Sequence, residues 1–126
     1  MSLETILEEG PNMEESILTS TKNFIGYGEG DTGFDPEIID CINTELMTLT
    51  QIGVGPSEGF EIEDKTSTWQ DFLGDNVKKF SAAKSYIHKK VKLSFDSSTM
   101  STALIAAYER QIAEHEWRLK EAAESF

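Results

Sequence analysis

Apolar residues recur at helical spacing in four stretches of the chain. Ile17, Leu18, Thr21, Phe24 and Ile25 share one face of a helix expected over 13–26, which Gly26 can terminate. Ile38, Ile42, Leu46, Leu49 and Ile52 repeat at i, i+4, i+8, i+11 and i+14. Asp35 suits the N-cap of that second helix, Pro36 its first position and Glu37 its first turn, and Gly53 can close it in the left-handed conformation. Val77, Phe80, Ala83, Ile87, Val91 and Phe95 define a third helix over 77–95, capped by Asp75 or Asn76. Leu104, Ile105, Tyr108, Ile112, His115 and Leu119 stripe the longest helix, 99–123, entered through Ser97, Ser98 or Thr99. On its surface Glu114 with Arg118 and Glu116 with Lys120 make i, i+4 pairs. The pattern predicts an all-α fold, a small bundle of about four helices.

The intervening segments read differently. Residues 26–33 (GYGEGDTG) form a flexible loop with four glycines. They do not make a phosphate cradle, because no strand precedes them and Glu29 and Asp31 would repel a phosphate. Residues 53–76 are an irregular loop punctuated by Phe60, Ile62, Trp69, Phe72 and Leu73. Within it Phe60–Glu63 alternates like a strand, Asp64-Lys65 suits a turn and Thr66–Trp69 suits a return strand, so a short β-hairpin is expected. Gln70–Leu73 then reads as one helical turn stopped by Gly74. At the N-terminus Ser2 could cap a short turn holding Leu3, Ile6 and Leu7, ended by Gly10-Pro11. Residues 1–14 are therefore expected to be a mobile extension and 15–126 a single helical domain.

Size and charge sharpen the picture. A chain of 126 residues and 14.1 kDa supports one core. It has no apolar run of membrane-spanning length and no basic-then-apolar N-terminus, so neither a membrane span nor a secretory signal is expected. The lone Cys41 leaves no internal disulfide or cysteine-based zinc site and sits beside an apolar stripe, as a core or boundary residue would. The net charge of −12 disfavours general binding to a DNA backbone. That charge is unevenly spread. Residues 1–64 carry 15 acids and one base, Lys22, whereas 65–126 carry 8 acids and 10 bases. Six lysines and no acid lie between Lys78 and Lys92. Such halves are either two solvated faces of one domain or complementary patches for another copy or a charged partner.

Several residues stand off the core stripes. Tyr86 and Leu93 lie about 100–140° from the centre of the third helix's stripe, among Lys89, Lys92 and other lysines. Trp117 points nearly opposite the stripe of the last helix, where it either anchors an interface or packs on the long loop or the N-terminal segment. With Trp69 and Phe72 of the loop, these residues (Tyr86, Lys89, Lys92, Leu93, Trp117) are the candidate interface set. Glu58, Glu61, Glu63 and Asp64 are the acidic candidates. Glu61, Glu63 and Asp64 lack the ligand alternation, central glycine and closing glutamate of a calcium loop. His88 and His115 sit on different helices without a motif, and no GxSxG or SxxK frames a serine. No enzyme, cofactor or metal site is expected.

The order of segments resembles a known family. A helix ending Phe24-Ile25-Gly26 is followed by the D-P-E-I-I-D-C-I-N helix closing in Leu49-Thr50-Gln51-Ile52-Gly53-Val54-Gly55-Pro56. Gly59-Phe60-Glu61-Ile62 and Thr68-Trp69-Gln70-Asp71-Phe72-Leu73-Gly74-Asp75 come next, then Lys90-Val91-Lys92-Leu93-Ser94-Phe95-Asp96, then Gln111–Leu119 with Glu116-Trp117-Arg118-Leu119. Over about residues 15–120 this resembles the tailed-phage head–tail connector family, also described as adaptor, head-completion or DNA-packaging proteins. The acidic residues 1–14 depart from it. The resemblance implies a structural virion neck protein, assembled in the host cytoplasm, that forms a homo-oligomeric ring on the portal protein. The ring would extend the DNA channel, pass DNA without specific binding and offer a surface to the next neck or tail component. Glu58, Glu61, Glu63 and Asp64 are then candidates for the channel wall. The rival reading is an acidic helical interaction module or a DNA-mimic inhibitor, against which the neutral-to-basic C-terminal half argues.

Overall fold

A computed structural model describes residues 14–125. The expected turn at Ser2–Leu7 and all but one residue of the expected N-terminal extension lie outside the described residues. Ser16 sets the start of the first helix, α1 (Ile17–Ile25), by accepting a hydrogen bond from the Thr19 amide at 3.0 Å. Helix α1 is thus shorter than the expected 13–26, and Gly26 ends it in the left-handed conformation (φ 98°). Helix α2 (Asp35–Gln51) has Asp35 as its first residue and Phe34 in the cap position, one residue from expectation. Its end is a Schellman motif. The Val54 amide donates to the Leu49 carbonyl at 2.9 Å and the Gly53 amide to that of Thr50 at 3.1 Å. Leu49 and Val54 are both fully buried, the apolar contact that accompanies this motif.

The expected hairpin is absent: neither Phe60–Glu63 nor Thr66–Trp69 is a strand, and they do not pair. Side chains take the bonds that a partner strand would have made. The Asn43 carboxamide accepts from the Ile62 amide at 2.8 Å and donates to its carbonyl at 3.0 Å. Asp64 accepts from the Thr66 amide and hydroxyl, at 2.8 and 2.6 Å, folding 64–66 back on itself. Thr68 bridges to Ser16 instead, and with Asp71 forms a capping box that starts α3 (Trp69–Leu73).

A short 3₁₀ turn, Gly74–Asn76, follows α3. Helix α4 (Ala82–Asp96) then begins five residues later than the expected 77. Residues 77–81 run as turns, with the Phe80 amide bonded to the Asn76 carbonyl and the Ala83 amide to that of Phe80. The expected entry to the last helix, Ser97–Thr99, is a separate 3₁₀ turn. The cap of α5 (Thr102–Ala123) is Ser101, which accepts from the Leu104 amide at 3.0 Å.

Helix α4 is the hub. It packs against α1, α2 and α5, and α1 also touches α2. The core it organises includes Ile17, Ile38, Ile42, Leu46, Leu49, Trp69, Ile87 and Val91, all fully buried. A polar node ties three elements together inside it. The Trp69 indole donates to the Ser20 hydroxyl at 2.9 Å, and Ser20 lies 3.3 Å from Nε2 of buried His88. The rings of Trp69 and Phe24 flank His88 at 5.6 and 5.1 Å. The only base of the acidic half is also buried. Lys22, 2% exposed, pairs with Asp35 at 2.8 Å and donates to the Glu29 carbonyl at 3.3 Å. It therefore fixes α1 to the start of α2 and to the glycine loop. Because it removes one partner of a largely buried ion pair, Lys22→Ala is expected to cost about 2–3 kcal/mol. Urea denaturation checks this, and a loss below about 0.5 kcal/mol would class the pair with ordinary surface ion pairs.

Candidate functional site

Three of the candidate interface residues are core residues. Trp69 is 0%, Phe72 1% and Tyr86 1% exposed. Trp69 and Phe72 are held inside by α3, which sets Trp69 on Ser20 and His88 and Phe72 on Phe60. For Tyr86 the reason is the hub position of α4. Helices cover it on several sides, so a residue well off its main stripe still meets a neighbour. Tyr86 lies close enough to Glu45 of α2 and Glu116 of α5 that their charges, after burial itself, push its phenol up to about 12. Phe72 packs on Phe60 at 5.3 Å. Leu93 is half-buried against the core. Trp117 alone of the aromatic candidates is open, at 63% exposure.

Leu104 is a correction in the other direction: expected in the core stripe, it is 41% exposed. Helix α5 rests chiefly on α4, so one narrow seam of it is covered, and only Ile112 and Leu119 are buried. His115, on that seam, is half-buried with Nε2 3.0 Å from the Lys89 ammonium. Burial first, then Lys89, lowers its pKa. The expected Glu114–Arg118 pair forms at 2.5 Å.

The lysines of α4 are largely engaged within the chain. Lys84 pairs with Glu15, Lys92 with Asp96 at 3.0 Å, and Lys90 approaches Glu45 at 3.9 Å. Burial raises the Glu45 carboxyl above its usual range; Lys90 opposes that and Glu116 adds to it. Three of the six lysines of the basic stretch thus pair with acids of their own chain. Cys41 is half-buried with a thiol raised chiefly by burial, which disfavours the reactive thiolate.

The acids behave as surface residues. Glu58, Glu61, Glu63 and Asp64 are all exposed. They do not share one concavity. Glu58 and Glu61 border a groove of about 390 Å³ between α2 and the 57–61 loop, floored by Met47 and Phe60. Glu63 and Asp64 border a second, of about 370 Å³, beside Lys22, Glu29 and Asp35. Among the described residues no group of three or more His, Cys, Asp or Glu is placed to hold a metal ion, and no helix is long and apolar enough to cross a membrane.

A family model described as phage connector protein matches residues 17–125. The chain belongs to the phage connector protein family. No curated protein and no solved structure is significantly similar to it. The matched region spans every helix described above, from the first residue of α1 to beyond the end of α5. Membership gives the chain a structural connector role among phage head and tail proteins.

Two residues that matter to these surfaces were missed in the sequence pattern. Asn43 sits at the edge of the α2 stripe, between Ile39 and Leu46 at i−4 and i+3, and a carboxamide there is a signal for a side chain that holds a loop. Lys22, a single base among fifteen acids, was the signal for a buried pair.

Proposed function

We propose that this connector is a neck protein that forms a ring on the portal, prolongs the DNA channel and joins the capsid to the tail. The family match over nearly the whole folded chain carries this reading. The distribution of charge supports it. Residues 23–64 hold ten acids and no base, and Glu63 and Asp64 are exposed on that half. Carboxylates of this kind on a channel wall would repel the phosphate backbone and let DNA slide without adhering. Glu63→Lys with Asp64→Lys should then slow DNA passage. Unchanged packaging and ejection would remove these residues from the wall.

Ring closure requires two different faces that fit each other. Trp117 is the best apolar anchor for such a face or for the next neck component. Trp117→Ala is expected to change folding stability by no more than about 0.5 kcal/mol while abolishing docking onto portal-bearing heads. Equal losses of folding and docking would make it a structural residue. The reading as a whole is tested by quantitative mass spectrometry of purified particles. One ring at one vertex predicts a few per cent of the copy number of the major capsid protein. Absence from particles, with the chain free in the lysate, would overturn it and favour an acidic module acting on a basic partner.

A further inference from the structure

We infer that the groove between α2 and the 57–61 loop is a docking site for a cationic segment of a partner protein, one carrying an apolar side chain beside its arginines or lysines. The groove is built before anything enters it. Its loop wall is pinned at one end by the Val54–Leu49 bond of the Schellman motif and at the other by the double Asn43–Ile62 bond. Between them the Gly59 amide closes a turn on the Pro56 carbonyl, and Phe60 is braced by Phe72.

The chemistry of the lining selects the ligand. Met47 is 59% exposed at the groove, on a helix whose inner stripe is fully buried, and a methionine accommodates differently shaped apolar groups. The polar groups beside it are already committed. The Asn43 carboxamide is bonded to Ile62 on both sides, and the Thr50 hydroxyl donates to the Leu46 carbonyl at 3.0 Å. The Ser57 hydroxyl is turned to Glu58 Oε1 at 3.5 Å, and the charged groups that line the groove are the Glu58 and Glu61 carboxylates, which only accept. An apolar floor with acceptors on its rim, inside a stretch of 42 residues without a base, complements a donor-rich cation attached to a hydrophobic group.

The occupant is a different protein more readily than a second copy. Lys22, Lys65, Lys84, Lys90, Lys92 and Arg118 are all within ion-pair distance of acids of their own chain. Six of its eleven bases are thus already engaged in the chain's own pairs, so a copy offers fewer donors than an arginine- or lysine-rich segment.

The test uses the full ¹⁵N-labelled chain and a synthetic peptide of alternating arginine and leucine, with a glutamate–leucine peptide as control. Saturable amide shifts confined to residues 43–50 and 57–61 are expected from the first peptide and none from the second. Raising NaCl from about 50 to about 500 mM should weaken binding about tenfold. Glu58→Gln with Glu61→Gln should weaken it by about the same factor, and Met47→Ser about threefold; all three positions are exposed, so the fold should persist. Shifts spread equally over Glu37, Asp40, Glu63 and Asp64, or no saturable shift, would overturn the site. Groove shifts that appear on raising the protein concentration alone would assign it to a second copy and overturn the partner. Particle composition, which tests the neck reading, is independent of all these outcomes.

Discussion

Replacing Gly55 by alanine should destabilise the protein by about 3–4 kcal/mol, among the largest effects of any single methyl group in this chain. Two costs add. Gly55 sits at φ 89°, where a side chain meets its own backbone at about 1–2 kcal/mol. A Cβ there would also lie 2.3 Å from Cε1 of Phe72, a ring that is 1% exposed and wedged against Phe60. Phe72 cannot yield without opening the core, so overpacking contributes about another 2 kcal/mol. Gly59→Ala separates the two costs, since Gly59 has φ 98° with nothing within 4 Å of the added atom. It should lose about 1–2 kcal/mol only. Urea denaturation of both variants checks the prediction, and equal losses would mean that Phe72 moves aside freely.

Acidification should remove about 3 kcal/mol through His88 alone. Burial first, then Lys84 and Lys89, depresses the His88 pKa from 6.5 to about 4. Between those values the unfolded chain binds a proton that the folded chain refuses. The contribution is thus fully present above about pH 6.5 and is lost as pH falls toward 4, at about 1.4 kcal/mol for each pH unit between the two values. Nothing in the surroundings compensates an imidazolium there. Trp69 and Phe24 flank the ring, Ser20 is its hydrogen-bond partner, and Glu15 is already paired with Lys84. His88→Gln should lower stability at pH 7.5 by losing the ring contacts. The gap to the parent should then shrink by about 2.5 kcal/mol at pH 4.5, because the glutamine does not titrate. Parallel stability profiles for the two proteins would show that His88 titrates normally.

The elements of this fold were legible where one residue type acts locally. Gly26, Pro36 and Gly53 mark helix ends because each alters only its own turn, and the end of α1 and both ends of α2 follow them closely, whereas the Ser16 cap of α1 came only with the structure. The start of α4 and the cap of α5 were not legible, since several serines and acids compete for each role and packing chooses among them. The hairpin shows the same limit. Alternation in Phe60–Glu63 correctly reported one buried side, that of Ile62, but not what would bond its backbone. A carboxamide nineteen residues away, on Asn43, took that role, and no local pattern encodes it.

For the function, the amino-acid sequence by itself determined the helical class, the separation of acidic from basic segments and the family. These rest on residue order and composition, which do not depend on how helices meet. Tertiary structure alone decided which candidates reach the surface. Tyr86 went inside because α4 is covered by α1, α2 and α5, and Trp69 and Phe72 because α3 folds onto Ser20, His88 and Phe60, while Leu104 stayed outside because α5 rests chiefly on one neighbour. It also decided that Lys84, Lys90 and Lys92 pair within the chain, whereas Glu58 and Glu61 remain exposed on a groove lined by Met47. Periodicity reports the face a helix turns toward its first neighbour. The number of neighbours, and so the width of the buried face, is set only when the helices pack.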